Sequence, residues 1–125
     1  MLIGIDILEP KKIEILLFKE RILSRIFTQN ELSLVTGCSY KKRVNILASV
    51  FAAKEAAVKA LGTGFTDAIG TQDVQIIINE NNEGKIEFLN TAKSFADELG
   101  VKKTHLTYSI EKNIIIAIAI LEVKG

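Results

Sequence analysis

The sequence predicts one α+β domain over residues 1–125, with helices packed on a largely antiparallel sheet. Three observations carry that expectation. Apolar, β-branched runs at 2–7 and 114–123 read as strands. The second run follows the alternating segment 104–111 after only Lys112 and Asn113, which is the spacing of a tight hairpin. Between these ends, residues 42–61 read as one long helix, and no linker, repeat or low-complexity stretch divides the chain.

The elements follow in order. Residues 2–7 form a first strand with Asp6 inside an otherwise apolar run. Pro10 then opens a helix expected to reach Arg25, with Ile13, Leu16, Leu17 and Ile22 as its apolar stripe. Thr28 and Glu31 have capping-box spacing, so a short helix should begin there and end by Gly37. After the long helix, 72–79 reads as a strand, 80–84 supplies turn residues, and 85–88 returns antiparallel. A helix over 90–99 should close on Gly100, and the 104–111 and 114–123 hairpin completes the sheet.

Bulk properties narrow the function. A chain of 125 residues buries roughly two-thirds of its unfolded surface. With 48% hydrophobic and 25% charged residues it belongs among folded soluble proteins, and without Trp its core must be aliphatic. The single cysteine, Cys38, precludes an internal disulfide and suits a reduced, cytoplasmic setting; it reads as an inert thiol. No export signal is expected at the N-terminus. The most apolar run, 114–121, is shorter than the about 20 residues needed to cross a bilayer, so no membrane is expected as a partner.

A net charge of +1 and sparse aromatics argue against nucleic acid. The charge is uneven, however. Residues 1–65 hold ten Lys/Arg against six Asp/Glu, and residues 66–125 hold six against nine. Basic residues gather at Lys11, Lys12, Lys19, Arg21 and Arg25, then at Lys41, Lys42 and Arg43. Such clusters suit an anionic ligand or an acidic protein; without a partner they are simply a solvated face.

One row on the long helix carries chemistry. Stepping by four from Leu47 gives Phe51, Glu55 and Lys59, which places Glu55 at the edge of the buried stripe. An acid there needs a partner, a metal or a task. A solvated Glu55–Lys59 pair is the ordinary alternative. Gly62, Thr63 and Gly64 then stop the helix. If the first strand packs beside this helix, Asp6 and Glu55 meet near a lysine, and two such carboxylates suit a hard cation such as Mg²⁺ that also takes phosphate oxygens. The alternative for Asp6 is a turn acceptor at a strand end.

Taken together, these segments resemble the holo-acyl-carrier-protein synthases, the small bacterial type of 4'-phosphopantetheinyl transferase. The resemblance rests on Gly4-Ile-Asp-Ile7, Phe27-Thr-x-x-Glu31, Phe51-Ala-Ala-Lys-Glu-Ala56, Lys59-Ala-Leu-Gly-Thr-Gly64, Asp73-Val and Gly84-Lys85, in the family's order over nearly the whole chain. The specific part is the run from Phe51 to Gly64. The resemblance implies the 4'-phosphopantetheinyl transferase fold. It also implies transfer of the phosphopantetheine arm of coenzyme A to a serine of an apo acyl carrier protein in fatty acid biosynthesis. Adenosine 3',5'-bisphosphate would be released.

By position, the resemblance makes Asp6 and Glu55 the Mg²⁺ ligands and Glu55 and Lys59 the catalytic pair. Lys59, Gly62, Thr63 and Gly64 fall in the coenzyme A region. Family members form trimers with active sites between subunits, which implies a homotrimer here. Carrier proteins are acidic, which gives Lys12, Lys19 and Arg21 of the basic N-terminal helix a docking role.

Three positions depart from the family's pattern. Val50 stands where an arginine is usual, Ile110 where a histidine is usual, and Lys12 where an arginine is common. These losses imply weaker coenzyme A binding, or a paralogue reduced to a carrier-binding module. His105, the only histidine, lies earlier on its strand and reads as structural.

Overall fold

The computed structural model describes residues 1–79 and 83–124, apart from the Phe18 side chain. Five strands form one sheet: β1 (Leu2–Leu8), β2 (Val74–Ile78), β3 (Gly84–Phe88), β4 (Val101–Glu111) and β5 (Ile114–Val123). Their order across the sheet is β1-β5-β4-β3-β2, and every neighbouring pair is antiparallel. The expected α+β architecture is the one observed. Lys112 and Asn113 turn the β4–β5 hairpin with φ of 48° and 65°, the left-handed pair that a two-residue turn requires. The turn residues expected over 80–82 lie outside the described residues.

The long helix α4 (Tyr40–Leu61) starts two residues earlier than its pattern suggests, because the Ser39 hydroxyl accepts from the Lys42 amide and caps it. Gly62, left-handed at φ 85°, ends it. The helix lies across β1 and β5. Strand β5 alternates strictly, burying Ile115, Ala117, Ala119 and Leu121 against α4 and turning Ile114, Ile116, Ile118 and Ile120 to the other face.

The contact between β1 and α4 is closer than ordinary side chains permit. A Cβ on Gly4 would stand 2.0 Å from the Ala56 carbonyl oxygen and 2.5 Å from the Ala60 amide nitrogen. Both partners are alanines, so strand and helix touch almost backbone to backbone. Gly4 faces the helix, and so does Asp6 two residues on, by the period of a strand.

Two expectations need correction. The helix drawn from Pro10 to Arg25 is three pieces: α1 (Pro10–Glu14), a 3₁₀ turn (Ile15–Phe18) and α2 (Glu20–Ile26). Lys19 between them is extended, at φ −112° and ψ 95°. The break has a packing reason. Leu17 and Leu23 are both buried, yet six residues of unbroken helix would set them about 120° apart. Leu23, not Ile22, is therefore the buried residue of α2. The strand drawn from 72 instead begins at Val74, because Thr71–Asp73 forms a 3₁₀ turn in which the Asp73 carboxylate accepts from the Gly70 amide at 2.8 Å. The capping box is present, opening α3 (Gln29–Ser33), and α5 (Asn90–Leu99) ends on Gly100 as expected.

The Gly4 contact gives a direct stability test. Gly4→Ala should lower the urea midpoint, with a loss of about 1–3 kcal/mol as strand and helix are forced apart. An unchanged midpoint would show that the two backbones have room to spare.

Candidate functional site

The close approach at Gly4 sets the geometry of the first polar cluster. The Lys59 ammonium donates to Asp6 Oδ1 at 2.9 Å and to the Ile5 carbonyl at 3.2 Å, so helix and strand are joined by charge beside their closest contact. The Asp6 side chain is 13% exposed and that of Lys59 48% exposed, which leaves the lysine free to contact a ligand from solvent. Glu55 lies one helical turn before Lys59 and is half-buried, at the edge of the core stripe as its row predicts. Burial holds its carboxyl above the ordinary range, the Asp6 charge pushes the same way, and Lys59 opposes them. The three sequence-predicted side chains are therefore electrostatic neighbours.

Two carboxylates that repel one another, with a lysine at hand, fit a hard cation. The donor set is oxygen only, and among the described residues no group of three or more His, Cys, Asp or Glu converges as a closed metal site would require. Mg²⁺ needs no such closed site, since it keeps waters and uses one or two carboxylates with substrate phosphates. Asp6 and Glu55 fit it.

The Gly62–Gly64 segment is built differently from a phosphate cradle. The amides of Thr63 and Gly64 both donate to the Val58 carbonyl, at 3.2 and 3.1 Å, and the Gly62 amide closes on Lys59 and Val58. The Thr63 hydroxyl donates to the Gly64 carbonyl at 2.8 Å. These amides finish the helix, and the end they finish is the negative end of its dipole. Their hydrogen-bonding capacity is already used within the chain.

Lys54, the residue before Glu55, was not singled out from sequence and is the most constrained polar group described. Its side chain and that of Glu31 are both 0% exposed, and they pair at 2.6 Å. The ammonium also donates to the carbonyls of Ile26 at 3.0 Å and Thr71 at 2.6 Å, and it lies 5.8 Å from the Phe27 ring centre. Glu31 accepts from the Thr28 amide at 2.8 Å and from the Ile76 amide of β2 at 2.7 Å. Desolvation lowers the Lys54 pKa and Glu31 resists that shift. A signal was present in the sequence: Lys54 falls four residues after Val50 and seven after Leu47, inside the fully buried stripe.

The departures from the family pattern also have definite places. Val50 is fully buried in the core. Ile110 lines a cavity of about 320 Å³ at the start of α4, with Lys41 and Lys42 at its walls and the Ser49 hydroxyl, buried and without a partner among the described residues. A larger cavity of about 1010 Å³, between β3 and β4 beside α5, is lined by none of Asp6, Glu55 and Lys59. His105 pairs with Glu122 at 2.5 Å on the sheet surface, not with Asp6 or Glu55. Cys38 is half-buried, and its thiol contacts the Leu34 carbonyl.

The sequence pattern of the 4'-phosphopantetheinyl transferase superfamily matches residues 2–119. A holo-[acyl-carrier-protein] synthase from Desulfovibrio desulfuricans is 33% identical over 122 residues, covering 96% of this chain and 95% of that protein. The fold is similar to the crystal structure of holo-[acyl-carrier-protein] synthase from Neisseria meningitidis, at 31% identity and a TM-score of 0.84 over 98% of this chain and 99% of that one. It is also similar to the Helicobacter pylori synthase solved in complex with coenzyme A, at 27% identity and a TM-score of 0.81, covering 97% of this chain and all of that one.

The raised Glu55 carboxyl fixes a sign for stability. A carboxyl whose folded pKa lies above its unfolded value stabilises the fold below the ordinary carboxylate range, and that contribution is lost as pH rises through the folded value. Glu55→Gln should therefore unfold at a higher temperature than the parent at pH 7, and the gap should close under acid conditions. Mg²⁺ should raise the melting temperature of the parent at pH 7 more than that of Glu55→Gln. Equal gaps at both pH values, or equal Mg²⁺ shifts, would contradict the site.

Proposed function

The chain belongs to the 4'-phosphopantetheinyl transferase superfamily, and we propose that it moves the phosphopantetheine arm of coenzyme A onto a serine of an apo acyl carrier protein. The product that leaves is adenosine 3',5'-bisphosphate, and the carrier so loaded serves fatty acid synthesis in the cytoplasm. The observation that carries this reading is the convergence of Asp6, Glu55 and Lys59 beside the Gly4 contact. Coenzyme A bound to the Helicobacter pylori relative supports the choice of donor.

The reaction forms a bond from the serine Oγ to the β-phosphorus of coenzyme A and breaks the bond from that phosphorus to the bridging oxygen. Asp6 and Glu55 would hold Mg²⁺, which would supply charge neutralisation on the diphosphate. Lys59 shifts its ammonium between Asp6 and the diphosphate and adds a compact positive charge. Glu55, directly or through a water held at the site, accepts the serine proton. Gly62, Thr63 and Gly64 shape the wall past which the donor lies.

Two surfaces support the assembly and the acceptor. Lys12, Lys19 and Arg21 are exposed on α1, the Lys19 break and α2, and they offer a cationic face to an acidic carrier. On the face of the sheet away from α4, Ile3, Ile5 and Ile7 stand opposite Ile120, Ile118 and Ile116. Ile3, Ile5 and Ile7 are 58%, 51% and 67% exposed, an apolar slab that a lone subunit leaves in water. That slab supports a homotrimer. The buried Val50 and the apolar Ile110 favour a second reading, a carrier-binding module with little turnover.

Mass spectrometry separates the two. Incubation with coenzyme A, Mg²⁺ and apo carrier should add one phosphopantetheine to the carrier, and Asp6→Ala or Glu55→Gln should slow this at least about 100-fold, in line with lost electrostatic stabilisation. Salt-sensitive carrier binding with no mass gain would favour the module. Light scattering tests the assembly: the parent should run as a trimer and Ile5→Asp as a smaller species, whereas a monomeric parent would contradict the shared slab.

A further inference from the structure

The carboxyl end of α2 is held in an unusual way. The last carbonyls of a helix lack intrahelical partners and ordinarily turn to water. Here the carbonyls from Ser24 to Phe27 are each met by a side chain from elsewhere in the fold. The Gln72 amide donates to Ser24 at 2.8 Å and to Phe27 at 2.7 Å. The Thr71 hydroxyl donates to Arg25 at 3.1 Å, and the buried Lys54 ammonium donates to Ile26 at 3.0 Å. Lys54 also grips the Thr71 carbonyl at 2.6 Å, so the three donors form one unit.

That unit joins two functional regions. On one side is α2, whose exposed Arg21 and Arg25 belong to the cationic face. On the other is α4, where Lys54 immediately precedes Glu55. Glu31 pins the same ammonium from α3 and ties it to β2 through the Ile76 amide.

We propose that Lys54, Thr71 and Gln72 are positioning residues that fix the carrier-docking helix α2 relative to Glu55 and so set where the acceptor serine arrives. This rests on the transferase reading for its substrate. The chemistry makes such a fixture useful. An acceptor oxygen must lie within about 3–3.5 Å of the phosphorus, and a displacement of about 1 Å can cost about 100-fold in rate. The acceptor is carried on a separate protein, so its placement is only as good as the rigidity of the surface that receives it. None of the three side chains needs to touch donor or acceptor to act in this way.

Lys54→Met would strand Glu31 in the core and unfold the protein, so the test runs through its partners. Thr71 and Gln72 are only half-buried, and Thr71→Val and Gln72→Ala leave the Lys54–Glu31 pair in place. Steady-state kinetics with coenzyme A and carrier varied separately are combined with amide exchange over residues 20–27. Each substitution should lower kcat/KM for the carrier about 3- to 10-fold, the effect of one or two lost hydrogen bonds. The KM for coenzyme A should not change. Exchange should quicken in α2 and stay constant in α4, and Thr71→Ser, which keeps the hydroxyl, should behave as the parent does. Equal losses toward carrier and coenzyme A, or unchanged kinetics for the carrier, would overturn the proposal. A parent protein that transfers nothing would sink the transferase reading instead. In that case the carrier's dissociation constant replaces kcat/KM, and an unaltered constant or unaltered α2 exchange would overturn the fixture.

Discussion

Strand β1 and helix α4 meet where neither carries a side chain larger than a methyl group, and the arrangement of the site depends on that contact. Gly4 has no room for a Cβ against the Ala56 carbonyl. The strand period then turns Asp6 to the same side, and the helix period sets Glu55 and Lys59 one turn apart beside it. A bulkier residue at position 4 would widen the gap and draw Asp6 away from Lys59 and Glu55. Small residues in this case have an electrostatic consequence, because they fix the distance between Asp6, the ammonium that pairs with it and the carboxylate it repels.

The same helix carries a second polar group with a different purpose. Glu55 and Lys59 remain open to solvent on one side, whereas Lys54 is closed off completely. A buried ammonium is tolerated because Glu31 and two carbonyls surround it, and removal of Glu31 would leave its charge without compensation. Such a group stabilises little on balance, yet it is exacting about geometry. It gathers the end of α2, the start of α3, the turn before β2 and the β2 edge around a single atom. Adjacent residues of one motif thus differ sharply: Lys54 is locked inside the frame and Glu55 stays partly open to solvent.

Much of this was legible in the sequence. The alternating 104–111 segment, the apolar 114–123 run, the Lys112-Asn113 turn and the Thr28/Glu31 capping box gave strands, hairpin and helix start from local chemistry alone. Glu55 was legible too, since its place after Leu47 and Phe51 marks it as an acid at the core edge. What escaped was non-local. The α1–α2 break follows from the need to bury both Leu17 and Leu23 against the rest of the protein, which no periodicity within the segment reveals. Gln72 and Asp73 read as strand until the Asp73 carboxylate is seen to close on Gly70. The Lys54–Glu31 pair joins residues 23 positions apart, and the capping box offered Glu31 a sufficient local role that hid its distant one. The Gly62–Gly64 stop was legible as a helix end, but the bonds of the Thr63 and Gly64 amides back to Val58 were not.

The central claim is that Asp6 and Glu55 face one another closely enough to act on one ion. A carbon-detected NMR titration of the Glu55 carboxyl, in the parent and in Asp6→Asn without added metal, measures this directly. The raised pKa of Glu55 should fall when the neighbouring negative charge is removed, because Asp6 adds to the effect of burial and Lys59 remains to oppose it. A Glu55 titration that is unmoved, or moves upward, in Asp6→Asn would mean the two acids do not share a site.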